Sequence, residues 1–236
     1  MSLPKLNDTP KHSVIIPSTG QKVRFRPFLV KEEKILMMAI ESENQTNALN
    51  AVAETIDMCI SENIDRDALK IFDIEYLFTK IRSKSVGESI PLIIGCSECK
   101  HQNPVDVDIS NIEIEVPKVD NIIRLNSEIS IEVEWPNYEK VINNKNITNS
   151  ESDIGLIVDM AADSIVAIMT EDDRTIAKDQ KRSDIIDFVE SMDTDQFVLV
   201  QKYLEKMPRV TKEIKFKCNE CETDNKISLE NINDFF

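Results

Sequence analysis

The sequence predicts an α+β protein: an N-terminal β-hairpin and helices, then two CxxC knuckle hairpins that form a zinc-ribbon-like unit with a helical insertion between them. Three observations predict it. Blocks such as "ALNAVAETIDMCI" repeat apolar residues every three or four positions, the helical period. Blocks such as "SVII", "KVRF" and "KEIKFK" alternate instead, which is the strand period. Two alternating blocks run into a Cys-x-x-Cys pair and leave it again, far apart in the chain. At 236 residues the chain is long enough for one large domain or two small ones without disulfides. The expected organisation is an N-terminal hairpin plus helices over 1–87, a β region over 88–142 and 209–236, and a helical insertion over 143–208.

Taken in order, "SVIIPSTGQKVRFR" (13–26) reads as a hairpin turning at "PSTG", closed by Pro27. "VKEEKILMMAIES" (30–42) switches to helical spacing, with Ile35, Met38 and Ala39 on one face. A second helix carries Leu49, Val52, Ile56, Cys59 and Ile60. A third begins at the N-cap candidate Asp65, carries Leu69, Phe72, Tyr76 and Ile81, and stops at Gly87. "SIPLIIGC" leads into the first cysteine pair and "VDVDI" leaves it. "NIIRLNSEISIEVEW" reads as a further hairpin turning near Asn126 and Ser127, and the polar stretch 143–153 as a loop. "DIGLIVDMAADSIVAIM" reads as an apolar helix with Ile157, Met160, Ala161, Ser164 and Ile168 on one stripe. "RSDIIDFVESM" and "TDQFVLVQKYLEKMP" read as a helix pair, the second capped by Asp193 or Thr194 and stopped by Pro208. The final strand, "KEIKFKC", enters the second cysteine pair and "NKISLENI" leaves it.

Charge limits the partners. The net charge of −15 argues against nucleic acid and anionic membrane surfaces, both of which need clustered cations. No run of about 18 apolar residues is present, so no membrane span is expected. The start, "MSLPKLNDTPKH", lacks the apolar core of a signal peptide, so a reducing cytosol is expected. Close-spaced cysteines there are more often metal ligands or redox groups than structural disulfides. With 4 glycines in the whole chain, no Gly-rich phosphate loop is available.

The cysteine pairs are Cys96/Cys99 and Cys218/Cys221. One constant shift carries Cys96 onto Cys218 and Cys99 onto Cys221. It also carries Leu92 and Ile94 onto Ile214 and Phe216, Asn103 onto Asn225, and Val105 and Val107 onto Ile227 and Leu229. The chain therefore holds two related knuckles. Each offers two thiolates, and together they complete the tetrahedral shell that structural Zn²⁺ prefers, leaving no open position for catalysis. The competing redox reading needs a CxxC that opens a helix after a strand. Here both pairs lie between strands, and Glu98 and Glu220, placed between the cysteines, are expected to raise the thiol pKa. His101 is an alternative ligand, expected to face solvent because four cysteines already suffice.

Little else suggests chemistry. Cys59 is expected to be a buried, unreactive thiol. The only histidines, His12 and His101, fall in polar loop sequence, and no nucleophile set stands out. The acidic runs, "EDD" at 171–173 among them, read as exposed faces and caps. Trp135 reads as a half-buried strand aromatic, or else as an interface anchor. In "RFRPFL", Arg24 and Arg26 oppose Phe25. The stretch reads as a strand-to-helix corner packed by Phe28 and Leu29, or as a surface whose arginines pair with acidic groups.

Three blocks, "IPSTGQKVRFRPFLVKEEKILMMAIES", "FDIEYLFTKIRSKSVGE" and "CSEC", resemble the baseplate-protein family of contractile-tailed phages of the T-even type. The resemblance covers residues 16–99; farther along it rests on length and the second cysteine pair. It implies a non-enzymatic baseplate hub subunit, working beside the hub and tail proteins that carry the tail lysozyme and the tape measure. Its expected location is the virion tail, or the host cytoplasm during assembly. It supplies no catalytic residues. A second reading is an assembly chaperone for a hub or tape-measure protein, absent from the mature virion, with the helical segment 153–207 cradling a partner helix. A third is a thiol oxidoreductase.

Overall fold

The computed structural model describes residues 10–42, 44–143 and 153–229. The stretch 143–153, expected as a loop, lies outside them except for Asn143 and Asp153, and so do the first nine residues, read above for a leader. The chain divides into two compact units. One comprises 1–64, 72–115 and 209–236; the other comprises 65–71 and 116–208.

The first unit opens with the expected hairpin, β1 (His12–Ile15) antiparallel to β2 (Lys22–Phe25), with Val14 opposite Val23. Gly20 closes the turn at φ +69°, where a side chain would be strained. His12 is a strand residue with its ring tilted against Phe25, not a loop residue: the strand begins one position earlier than the apolar alternation. Helix α1 (Val30–Glu41) buries Glu32 and Leu36, while Met37 and Met38 stay 57% and 60% exposed. The expected inner face is therefore turned, because Arg26 and the backbone N–H of Leu29 pull Glu32 inward and carry Leu36, one turn on, with it. Helix α2 (Gln45–Cys59) is capped by the Asn44 side chain and buries Val52, Ile56 and Cys59. Helix α3 (Ile71–Ser85) buries Phe72, Ile74, Leu77, Phe78 and Ile81. Asp73, Thr79 and Ser83 are buried with them, and the helix forms the core of its unit. Asp65 caps a short 3₁₀ turn, Arg66–Ala68, instead of α3, which starts later.

Strands β3 (Ser89–Gly95) and β4 (Gln102–Asp108) form one knuckle hairpin. In the second unit, β5 (Ile122–Arg124), β6 (Ser130–Val133), β7 (Ile165–Met169) and β8 (Arg174–Ile176) form an antiparallel sheet in that order. Helix α4 (Tyr138–Asn143) follows β6, and α5 (Asp153–Ser164) precedes β7. Here the reading of 153–169 as a single helix is corrected. The apolar block 153–169 is helical only to Ser164. There the β-branched run Ile165-Val166 turns into a strand against β6, and the Ser164 carbonyl accepts the N–H of Glu134 at 2.8 Å. Residues 116–142 accordingly fold with this segment. Helices α6 (Arg182–Glu190) and α7 (Thr194–Leu204) are the expected pair, with Asp193 capping α7 and Gln196 bonding back to it. Trp135 lies just past β6, only 8% exposed, stacked on Tyr203 at 6.0 Å.

The chain returns to the first unit with β9 (Lys212–Lys217) and β10 (Asp224–Leu229), the other knuckle hairpin. Ile90, Val107, Ile109, Ile112, Val210, Ile214 and Leu229 form one buried cluster, with Tyr76 of α3 packed against it. Apolar residues of both hairpins thus share a core, which brings the two cysteine turns to the same end.

Candidate metal centre

Each knuckle is built by the same backbone device. The Cys96 N–H donates to the His101 carbonyl at 2.9 Å, and the Lys100 N–H to the Cys96 carbonyl at 3.1 Å. The Cys218 N–H donates to Thr223 at 2.9 Å, and the Glu222 N–H to Cys218 at 3.1 Å. The turn requires a left-handed residue, and Lys100 (φ +61°) and Glu222 (φ +59°) take that position. Neither is glycine, so each costs about 1 kcal/mol and is held by the bonds around it.

The four thiols converge. All four sulfurs lie within 4.8 Å of one another, with Cys96–Cys221 and Cys99–Cys218 at 3.6 Å. A disulfide would bring two of them to about 2.05 Å. A tetrahedron of thiolates about 2.3 Å from one ion has edges of about 3.8 Å. The cysteines are free, Cys96 and Cys218 buried, Cys99 and Cys221 exposed. The four residues could together hold one metal ion. His101 is not among the clustered ligands; its backbone, not its ring, serves the turn.

Two asparagines lock the knuckles together reciprocally. Asn103 accepts the Asn219 N–H at 2.8 Å and donates to the Cys218 sulfur at 3.7 Å. Asn225 accepts the Ser97 N–H at 2.9 Å and donates to the Cys96 sulfur at 3.5 Å. Each asparagine reaches across to the first cysteine of the other knuckle and to the residue after it. Such partners fix ligand orientation around a metal. Sequence reading placed both asparagines in the repeat without a role; the constant shift from 103 to 225 was the available signal.

The electrostatics invert one expectation. Glu98 and Glu220 were expected to raise the thiols, yet Cys96 is lowered to about 6, first by the Cys99 N–H and further by the Asn225 amide. Cys218 is lowered too, first by the Cys221 N–H. The turn's N–H groups, including those of the two glutamates, point at sulfur and lower both thiols. For Cys99 the His101 N–H lowers the thiol, but the neighbouring sulfurs and burial together push it up to about 12.

The remaining candidates are internal. Arg24 Nε pairs with Glu62 at 2.7 Å, and Arg26 with Glu32 at 2.8 Å and the Met58 carbonyl at 2.9 Å. The corner is thus fastened by ion pairs within the chain; Phe28 is half-buried, and Leu29 is exposed instead of packed inside. Cys59 is buried, and burial pushes its thiol up to about 11. Sequence reading missed one cluster in the second unit: Asp159 and Asp163, buried on α5, both bind Arg182 of α6. Their four-residue spacing on an otherwise apolar helix was the signal. Among the described residues no helix is long and apolar enough to cross a membrane.

Comparison with known proteins gives one result. The model of the family described as T4 bacteriophage base plate protein matches residues 9–236. No curated protein and no solved structure matched.

Proposed function

The chain belongs to the T4 bacteriophage base plate protein family, and from that premise we propose that it is a hub subunit of the baseplate, its fold closed by one structural Zn²⁺ on Cys96, Cys99, Cys218 and Cys221. The carrying observation for the role is the family match across 9–236. A structural task in the virion tail, among other tail proteins, follows from that family, and the early resemblance of residues 16–99 to hub subunits supports the narrower assignment. For the ion, the supporting observation is the four-sulfur cluster with its paired asparagines. A shell of four thiolates holds fold, not substrate. Its work is mechanical: it ties residues 96–99 to residues 218–221, so that an excursion of more than a hundred residues leaves and re-enters at a fixed point.

A specific observation favours the second reading, a chaperone for a hub or tape-measure protein that is absent from the mature virion. Val30, Met37, Met38 and Ile40 of α1 are exposed apolar side chains suited to a partner helix. The segment 153–207, once the expected cradle, buries Ala161, Ile165, Ile185, Val189 and Val200 in its own core. Quantitative mass spectrometry of purified tails separates the two readings. A fixed copy number is expected for a hub subunit; detection in infected cells but not in tails would establish the chaperone. Elemental analysis is expected to give about one zinc per chain, and a well-folded metal-free sample would refute the metal.

The oxidoreductase reading has less support. The lowered thiols, Cys96 and Cys218, are the buried ones, whereas disulfide exchange needs an accessible thiolate. No insulin reduction is expected, with Cys96→Ser as the control.

A further inference from the structure

We propose that the outer edge of β1, with the lysines of α3 beside it, is a docking groove for an extended acidic segment of another protein. The inference draws on the proposed assembly role only for where such a partner comes from.

Backbone phase comes first. The Ile16 N–H donates to the Gln21 carbonyl at 2.9 Å, which sets the antiparallel ladder. Val14–Val23 and His12–Phe25 then exchange bonds, and Ser13 and Ile15 turn their N–H and C=O outward. The same phase is visible on β2, where outward-facing Arg24 donates its N–H to Glu62 at 2.6 Å and accepts from the Ser61 N–H at 2.9 Å. The chain thus closes the edge of β2 itself. Among the described residues nothing pairs with the backbone of Ser13 or Ile15, and the Ile15 side chain is 57% exposed. Proteins manage such edges, by covering them or by using them.

Charge says what would use this one. A cavity of about 500 Å³ runs along His12–Ile15 and is bordered by Lys22, Tyr76, Lys80 and Lys84, with no carboxylate among its described lining residues. That is a cationic groove on a chain of net charge −15. Lys80 is held in place, donating to the Ser110 carbonyl at 3.2 Å with its ammonium 5.2 Å from the Tyr76 ring centre. Lys84 pairs with Glu88, which is itself exposed and replaceable. The other edge of the hairpin already displays the required chemistry, since Glu62 accepts from a strand N–H and an arginine at once. A partner strand with acidic side chains would do the same at Ser13 and Ile15. Main-chain bonds would supply affinity and the lysines would supply choice.

The test uses the full chain and a labelled peptide of about eight residues alternating Glu and Val, read by fluorescence anisotropy. Expected results are binding at least about tenfold weaker when Lys replaces Glu in the peptide, and a similar loss when its strand-facing amides are N-methylated. Lys22→Glu on the hairpin and Lys80→Glu on α3 should each weaken binding, the first guarding against a folding defect in the second. Exchange of the Ser13 and Ile15 amides should slow in the complex. Equal binding of the Glu and Lys peptides overturns the proposal, as does indifference to N-methylation, protection confined elsewhere, or no binding. Displacement by inorganic phosphate at peptide-like concentration reduces the groove to an anion site and also overturns it. Any of these failures would leave the tail inventory, and hence the baseplate role, unaffected.

Discussion

The two units fasten distant segments in different ways. The first uses four thiols and two asparagines, arranged so that each knuckle repeats the other. The second uses one guanidinium: Arg182 of α6 reaches Asp159 at 2.7 Å and also binds Asp163, both on α5. The thiol clasp is symmetric and closed. The arginine clasp is neither, because one cation serves two buried carboxylates. Burial pushes Asp163 up despite Arg182, while the paired carboxylates hold Arg182 above its ordinary value against its own burial. The difference teaches what each clasp is built on: the first on four convergent thiols and their two asparagines, the second on one arginine shared by two carboxylates.

Removing the proposed Zn²⁺ is therefore expected to be the largest perturbation. Structural zinc contributes about 10–16 kcal/mol of binding free energy near neutral pH, more than most domains have in net stability. Chelation, or Cys218→Ser, should abolish amide protection in β3, β4, β9 and β10. Hydrogen exchange with and without chelator checks this; full protection in the chelated sample would break the comparison at its root.

Next is Arg182→Ala, which leaves Asp159 and Asp163 buried without their cation. The expected loss is about 3 kcal/mol by urea unfolding, the low end for a broken buried pair because Arg182 is 42% exposed. The double change Asp159→Asn with Asp163→Asn should recover most of it. A loss as large as that of the knuckle variants would mean that the two clasps are not different in kind.

The symmetry of the first clasp can be tested by itself. Asn103→Ala and Asn225→Ala remove equivalent bonds, and each should cost about 1–2 kcal/mol. The two should agree to within about 0.5 kcal/mol in thermal unfolding. A marked inequality would show that the repeat is a likeness of backbone only.

The thiol clasp was legible in the sequence because it is local chemistry repeated: Cys-x-x-Cys, the strands on both sides and the asparagines all obey one shift. The arginine clasp was not, because Asp159 looks like any helix acid until Arg182 is folded against it. The same limit explains β7. Ile165–Met169 reads as more helix in isolation, and only its pairing with β6 makes it a strand. The inner face of α1 was misplaced because apolarity alone cannot reveal that Glu32 is drawn inward by Arg26. Periodicity recovers elements whose partner is water, and loses those whose partner is a particular distant residue.

A pH dependence separates an acid that has a cation beside it, Glu32, from one that has little, Glu75. For Glu32, burial pushes the carboxyl up, but hydrogen bonds from Arg26 and the Leu29 N–H outweigh it and leave the group below its ordinary 4.5. Its contribution is present above 4.5 and is lost as pH falls through the folded value. For Glu75 burial dominates; the Val210 N–H and Arg209 do not offset it, and the carboxyl rises to about 7. The folded chain then holds this proton more tightly than the unfolded chain does. The associated stability is fully present below pH 4.5 and disappears as pH rises through about 7. Glu75→Gln keeps an acceptor for the Val210 N–H and removes the titration. Urea unfolding should show the variant about 1–3 kcal/mol more stable than the parent near pH 8 and nearly equal to it near pH 4. Glu32→Gln should do the reverse, losing stability near pH 8. If both variants respond to pH with the same sign, the cation beside Glu32 is not what distinguishes the two acids.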